Sequence, residues 1–231
     1  ACLRSGAGVV TVATWPANLT AVISGRPELI CHGIDEAARL QPLLEAADIV
    51  ALGPGLGRDA WAHALFNAAV AAGKPLVIDA DGLNLLARER HSLRPGGVLV
   101  LTPHPAEAAR LLDTEAAAVQ QDRAGALTGL VTRYECIAVL KGAGTLIGAP
   151  GRTPALCNHG NPGMATAGMG DVLTGVIAAL LAQIADPWDA VRAAVLAHAL
   201  AGDAAARAGE RGLIASDVIA HLPACLNPRP N

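Results

Sequence analysis

Four short apolar runs constrain this chain more than any other feature. Ile49–Leu52, Leu76–Ile78, Val98–Leu101 and Ile137–Leu140 each stop at a loop rich in glycine, proline or acid. Those loops are GPGLGR (Gly53–Arg58), DADG (Asp79–Gly82), TPHP (Thr102–Pro105) and KGAG (Lys141–Gly144). Strands that are apolar throughout are buried on both faces, and helical stretches between them imply a mostly parallel sheet covered on both sides. In such sheets ligands collect at the carboxyl ends of the strands, so the four loops are expected to line one rim.

The remaining elements follow from periodicity and punctuation. Helices are predicted over Ala60–Ala72 (closed by Gly73 and Pro75), Leu83–Arg88, Ala106–Leu112, Ala116–Tyr134, Val172–Ile184, Trp188–Ala208 and Ser216–His221. Thr145–Ile147 reads as the return strand of a hairpin, and Gly8–Ala13 as a first strand after a helical stub. Thr14–Ile34, with Pro16 and Pro27, reads as irregular, and Asp35–Ala47 as helical with an interruption at Pro42. No linker divides the 231 residues, so one domain is expected. Apolar residues make up 52% but aromatics only 2%, which leaves Ala, Val, Leu and Ile to build the core.

A net charge of −3 without a cluster of Lys and Arg argues against nucleic acid as a partner. No apolar run reaches membrane-spanning length. Cys2, Cys31, Cys136, Cys157 and Cys225 form no CxxC pair, which suits reduced thiols in a cytoplasmic protein. The start has neither an initiator Met nor the apolar core of a signal peptide, and reads as a chain cut inside a helix.

The chemistry concentrates in NPGMATAGMGDVLTG, Asn161–Gly175, where four of fifteen residues are glycine and Asp171 is the sole acid. Glycine lets backbone N–H groups approach an anion closely, and the helix start behind it adds partial positive charge. An acid there repels phosphate, so Asp171 suits a base beside the reacting end of a phosphate chain; a helix cap is an equal reading on local grounds. In GPGLGR, Gly53, Gly55 and Gly57 allow backbone approach to a ligand, or simply a turn. Asp79 is open between a metal-side carboxylate and a turn residue, whereas Asp81 reads as an Asx turn or cap. His104, locked between Pro103 and Pro105, is a candidate donor to a substrate, set against a rim histidine with Glu107 as a first-turn charge. Lys141–Thr145 is no Walker loop, because the lysine precedes its glycines, but it suits contact with a nucleotide, or a plain hairpin turn.

Taken in order, these motifs resemble the ribokinase-like superfamily, whose Gly-x-Gly-Asp loop is matched by GMGD at Gly168–Asp171. More narrowly, the chain resembles the YjeF C-terminal family, the ADP-dependent NAD(P)H-hydrate dehydratases. The resemblance is carried by RSGAGVVTVAT (Arg4–Thr14), GPGLGR, DADGLNLL (Asp79–Leu86), LTPHPAEAARLL (Leu101–Leu112), LKGAGTLI (Leu140–Ile147) and NPGMATAGMGDVLTGVIAALLAQ (Asn161–Gln183). It implies a three-layer α/β/α sandwich with a mostly parallel central sheet. The implied reaction is dehydration of (6S)-NADHX or (6S)-NADPHX to NADH or NADPH, by a hydro-lyase that consumes ADP to AMP and phosphate.

By the same resemblance, Gly55, His104 and Asp171 contact the hydrated dinucleotide, with Asp171 as catalytic base. Lys141, Gly142, Ala143, Gly144, Thr145 and Gly170 hold the nucleotide, and Mg²⁺ is implied with no ligand assigned. The family also implies a homotetramer in the cytoplasm, and fusion to or cooperation with an NAD(P)H-hydrate epimerase. The family's N-terminal strand and glycine-containing substrate loop are expected before Ala1. Two departures stand in the glycine loop, Ala167 and Met169; Met169 is compatible if only its backbone N–H is used. The rival readings are an ATP-dependent kinase of the thiazole or hydroxymethylpyrimidine type and a nucleotide-sensing domain without turnover, which has no need of Asp171.

Overall fold

Alternate residues of the central strands serve opposite faces of one sheet, and that alternation builds the fold in the computed structural model, which describes residues 1–89 and 96–227. The sheet comprises β3 (Val50–Leu52), β4 (Leu76–Ile78), β5 (Leu99–Leu101), β6 (Ile137–Leu140), β7 (Thr145–Gly148) and β8 (Ala155–Cys157), in that spatial order. The pairs β3–β4, β4–β5 and β5–β6 are parallel; β7 and β8 add antiparallel strands at the far edge. Leu76, Ile78, Leu99, Leu101, Ala138 and Leu140 pack on one face with Phe66, Leu86, Leu111 and Leu130. Val77, Val100, Ile137 and Val139 pack on the other with Val176, Ile177, Val191 and Val195.

The first face is covered by α3 (Ala60–Ala71), α4 (Ala80–Glu89), α5 (Pro105–Leu111), α6 (Ala116–Gln121) and α7 (Arg123–Tyr134). The opposite face takes α8 (Met169–Leu181), α9 (Pro187–Ala205) and α10 (Ala215–Leu226). Ala190, Ala194, Ala197 and Ala201 are buried at helical spacing on α9, and such small side chains let neighbouring helices approach closely. This is the expected three-layer arrangement, and the four rim loops do follow parallel strands.

Several boundaries move for identifiable reasons. The expected helix Ala116–Tyr134 is two helices, because Asp122 leaves helical geometry and caps α7 through the Gly125 N–H at 2.7 Å. Asp35–Ala47 is helical in two pieces, a 3-10 helix Ala37–Leu40 and α2 (Gln41–Ala46), and the break falls at Pro42, which sits in the first turn of α2 where its missing N–H costs nothing. Thr14–Ile34 is not irregular. It contains α1 (Leu19–Gly25) and β2 (Ile30–Gly33), which pairs in parallel with β1 (Thr11–Thr14) in a separate two-stranded sheet. The edge strand β8 was hidden in sequence by its brevity. Among the described residues no helix is long and apolar enough to cross a membrane.

Candidate active site

Asp79, the first residue beyond β4, is 1% exposed and sits beneath the rim. Its Oδ1 accepts from Lys141 Nζ at 2.6 Å, and its Oδ2 from Thr174 Oγ1 at 2.9 Å. A buried carboxylate is tolerable only when its lone pairs are met this way, and the two donors come from β6's loop and from α8. Asp79 therefore ties three elements together, with one donor on each of its oxygens. Lys141 also lies 3.8 Å from Glu107 Oε2, while its backbone N–H donates to the Pro103 carbonyl at 2.9 Å.

His104 caps α5. Its Nδ1 accepts from the Ala106 N–H at 3.1 Å, and Glu107 Oε2 accepts from the His104 N–H at 2.8 Å, a reciprocal capping box. With Nδ1 an acceptor, the neutral ring carries its proton on Nε2, 3.5 Å from Glu107 Oε1. One ring nitrogen thus builds the helix start, and the other carries a proton on a half-exposed side chain.

The GPGLGR loop is set against the same acid. Gly53 has φ +129°, and a Cβ there would strike the Asp79 carbonyl, so only glycine lets the loop pass. Asp81 is neither an Asx turn nor a cap. From the first turn of α4 it accepts from the Gly57 N–H at 3.1 Å and faces Arg58 Nε at 3.4 Å, strapping the loop down. Gly55 is exposed, and nothing lies within 4 Å of where its Cβ would be.

Behind the Lys141–Thr145 loop stands a residue that motif reading missed. Arg123, at the start of α7, donates from Nη2 to the carbonyls of Leu140 and Gly144, both at 3.1 Å, and of Lys141 at 3.5 Å. Gly142, at φ +142°, lies against the guanidinium, and Thr145 Oγ1 donates to the Gly142 carbonyl at 3.1 Å. Nothing in the local sequence marks Arg123, because its partners are carbonyls seventeen to twenty-one residues away. Arg123→Gln leaves these carbonyls without their fork of donors. The expected result is a nucleotide Kd weakened about tenfold with the fold retained, measured by calorimetry; an unchanged Kd removes Arg123 from any part in shaping the loop.

The Gly168–Asp171 turn completes the rim. Gly168, left-handed at φ +86°, is the N-cap of α8, and Asp171 is the helix's third residue with no capping bond. The cap reading of Asp171 thus gives way. Met169 is 5% exposed and packs in the core, which leaves its backbone at the loop. A Cβ on Gly170 would lie 3.2 Å from Lys141 Nζ and 3.4 Å from Asp79 Oδ2, so glycine lets the helix start settle onto that pair. Asp171 is exposed at the rim and has no hydrogen-bond or ion-pair partner among the described residues. Protein crowding one side of its carboxyl raises its pKa above the ordinary Asp range; the Asp79 charge adds to this and Lys141 opposes it. Thr174, one turn on, was also missed, although its spacing from Asp171 places it at the same helix end.

Beneath this turn lies His198 of α9, buried, with no partner for its Nε2 among the described residues. Burial lowers its pKa to about 4, against a hydrogen bond to the Met169 backbone and with a small contribution from Lys141. The folded state holds it neutral, whereas the unfolded chain protonates it near 6.5. Its contribution to stability is therefore complete above about pH 6.5 and is lost as pH falls towards 4, up to about 3 kcal/mol. Denaturant titrations of wild type and His198→Gln across that window should differ in slope, because the change in Asp171 is common to both. Parallel slopes would show that His198 is not held neutral.

Comparison with known proteins follows the same lines. Residues 1–224 match the family model for NAD(P)H-hydrate dehydratase. The chain is 48% identical over 229 residues to the bifunctional NAD(P)H-hydrate repair enzyme Nnr of Coxiella burnetii, covering 99% of this chain and 46% of that protein. It thus spans about half the length of the curated relatives it matches. Among solved structures, a ribokinase-like superfamily protein from Enterococcus faecalis aligns with a TM-score of 0.89 and 32% identity, over 97% of this chain and 78% of that one. The ADP/ATP-dependent NAD(P)H-hydrate dehydratase of Bacillus subtilis, co-crystallised with ATP/Mg²⁺, aligns at 0.85 with 27% identity, over 97% and 80%.

Proposed function

The chain belongs to the NAD(P)H-hydrate dehydratase family, and on that premise we propose that it dehydrates (6S)-NADHX and (6S)-NADPHX with ADP consumed to AMP and phosphate. The observation that carries the reading is the state of the rim acids. Asp79, Asp81 and Glu107 are committed to partners within the chain, whereas Asp171, at the start of α8, is exposed and has no partner among the described residues. Asp171 takes the proton of the ring hydroxyl as its oxygen attacks the terminal phosphorus of ADP, and AMP departs. The nitrogen of the hydrated ring then drives out phosphate, a far better leaving group than hydroxide, and the resulting iminium loses its adjacent ring proton to solvent, which restores the double bond of the dihydropyridine.

Lys141–Thr145 and the Gly170 backbone hold the nucleotide; Gly55 and the His104 Nε2–H hold the dinucleotide. Such catalysis is mostly positioning and charge stabilisation. Among the described residues no group of three His, Cys, Asp or Glu side chains can hold a metal ion. The donor set therefore suits Mg²⁺ carried on the nucleotide's phosphates, where it neutralises charge, better than a protein cage. A cytoplasmic homotetramer working with an epimerase for the (6R) hydrate, fused or separate, completes the proposal.

The test is recovery of dihydropyridine absorbance from hydrated NADH, with ADP, with ATP and without nucleotide. ADP-dependent recovery is expected. Phosphorylation of a thiazole or hydroxymethylpyrimidine alcohol without any recovery would instead make the protein a kinase.

A further inference from the structure

A cavity of about 390 Å³ opens between α4 and α5, beside the GPGLGR loop, and three guanidinium groups line it: Arg58, Arg88 and Arg110. Arg58 reaches it from the loop that carries Gly55. Arg88 and Arg110 stand in the last turns of α4 and α5, two helices that each begin at a rim residue, Ala80 and Pro105. Arg88 lies eight residues beyond Ala80 and Arg110 five beyond Pro105, so at about 1.5 Å per residue the cavity lies roughly 8–12 Å from the catalytic rim.

Its charge is unbalanced. Asp81 faces Arg58 at 3.4 Å, and Asp113, the acid in the cavity wall, pairs with Arg133 at 2.9 Å. Among the described residues no carboxylate pairs with Arg88 or Arg110; Arg110 Nη1 donates instead to Asn84 Oδ1 at 2.8 Å. A cation near a helix C-terminus complements the helix dipole, which accounts for each arginine singly. It does not account for two such side chains from separate helices meeting Arg58 around one cavity. Guanidinium forks match phosphate oxygens in pairs, and an excess of positive charge in a concave site concentrates an anion.

We propose that this cavity binds a phosphate group of the dinucleotide substrate, remote from the reacting ring. The inference rests on the dehydratase reading, under which a dinucleotide with its hydrated ring at Asp171 extends along the rim past Gly55. Two of its groups have the required chemistry: the diphosphate bridge, and the 2′-phosphate that distinguishes NADPHX from NADHX.

Arg88→Gln and Arg110→Gln, singly and together, separate these sources, with Arg39→Gln as an exposed control of equal charge change. KM is measured for hydrated NADH and hydrated NADPH, alongside calorimetric titration with NAD⁺ and NADP⁺. A rise of about tenfold for the NADP forms alone assigns the 2′-phosphate, and an equal rise for both forms assigns the diphosphate. Wild-type turnover of both hydrates with unchanged constants in the variants overturns the phosphate site and leaves the dehydratase reading standing. Absence of turnover and of dinucleotide binding in the wild type removes that reading itself.

Discussion

Asp171→Asn should cut turnover of hydrated NADH by about 10²–10⁴-fold while AMP and ADP still bind, because a positioned base contributes on that scale. The substitution keeps shape and removes only the ability to take a proton. Among the described residues Asp171 has no hydrogen-bond partner, and it caps no helix, so the variant should fold and melt like the wild type. The pH profile supplies an independent readout. Crowding by the surrounding protein and repulsion from Asp79 raise the Asp171 pKa, against the pull of Lys141. A base acts in its ionised form, so activity should fall as pH drops through this raised value, placing the acid limb above the ordinary Asp range. An unchanged rate in Asp171→Asn would exclude the base role and favour a domain that binds nucleotide without chemistry at this residue.

The fold was largely legible because apolar strands and glycine loops obey strong local rules. Leu76–Ile78 and Ile137–Leu140 were placed to the residue, and their loops fall on the expected rim. What stayed hidden depends on partners distant in sequence. The structural tie made by Asp79 has no local signal, because its partners Lys141 and Thr174 lie 62 and 95 residues away. Arg123 carries no motif, yet its contacts to backbone carbonyls shape the loop that does. Asp81 was read as a local turn residue for the same reason: its partner, the Gly57 N–H, is 24 residues upstream. At Asp171 the local sequence leaves base and cap open; the N-cap position falls to Gly168, in left-handed conformation, which removes the cap reading.

The Asp79–Lys141 pair gives the largest expected effect on stability. Asp79→Ala leaves Lys141 with Glu107 at 3.8 Å as its remaining acidic partner, and leaves Thr174 Oγ1 without its acceptor. Removing one member of a buried pair costs about 3–5 kcal/mol, since the other charge stays desolvated. The Lys141 side chain keeps 19% of its exposure, so some solvent reaches the ammonium and the loss should fall near the lower end, about 3 kcal/mol. In a domain of this size that is a drop in Tm on the order of 10 °C. The double variant Asp79→Ala/Lys141→Met separates charge from packing. If the cost is the stranded ammonium, the second substitution should recover much of the lost stability. A double variant as unstable as the single one would locate the cost in the cavity left under the rim. If Asp79→Ala melts like the wild type, the pair does not hold the rim together.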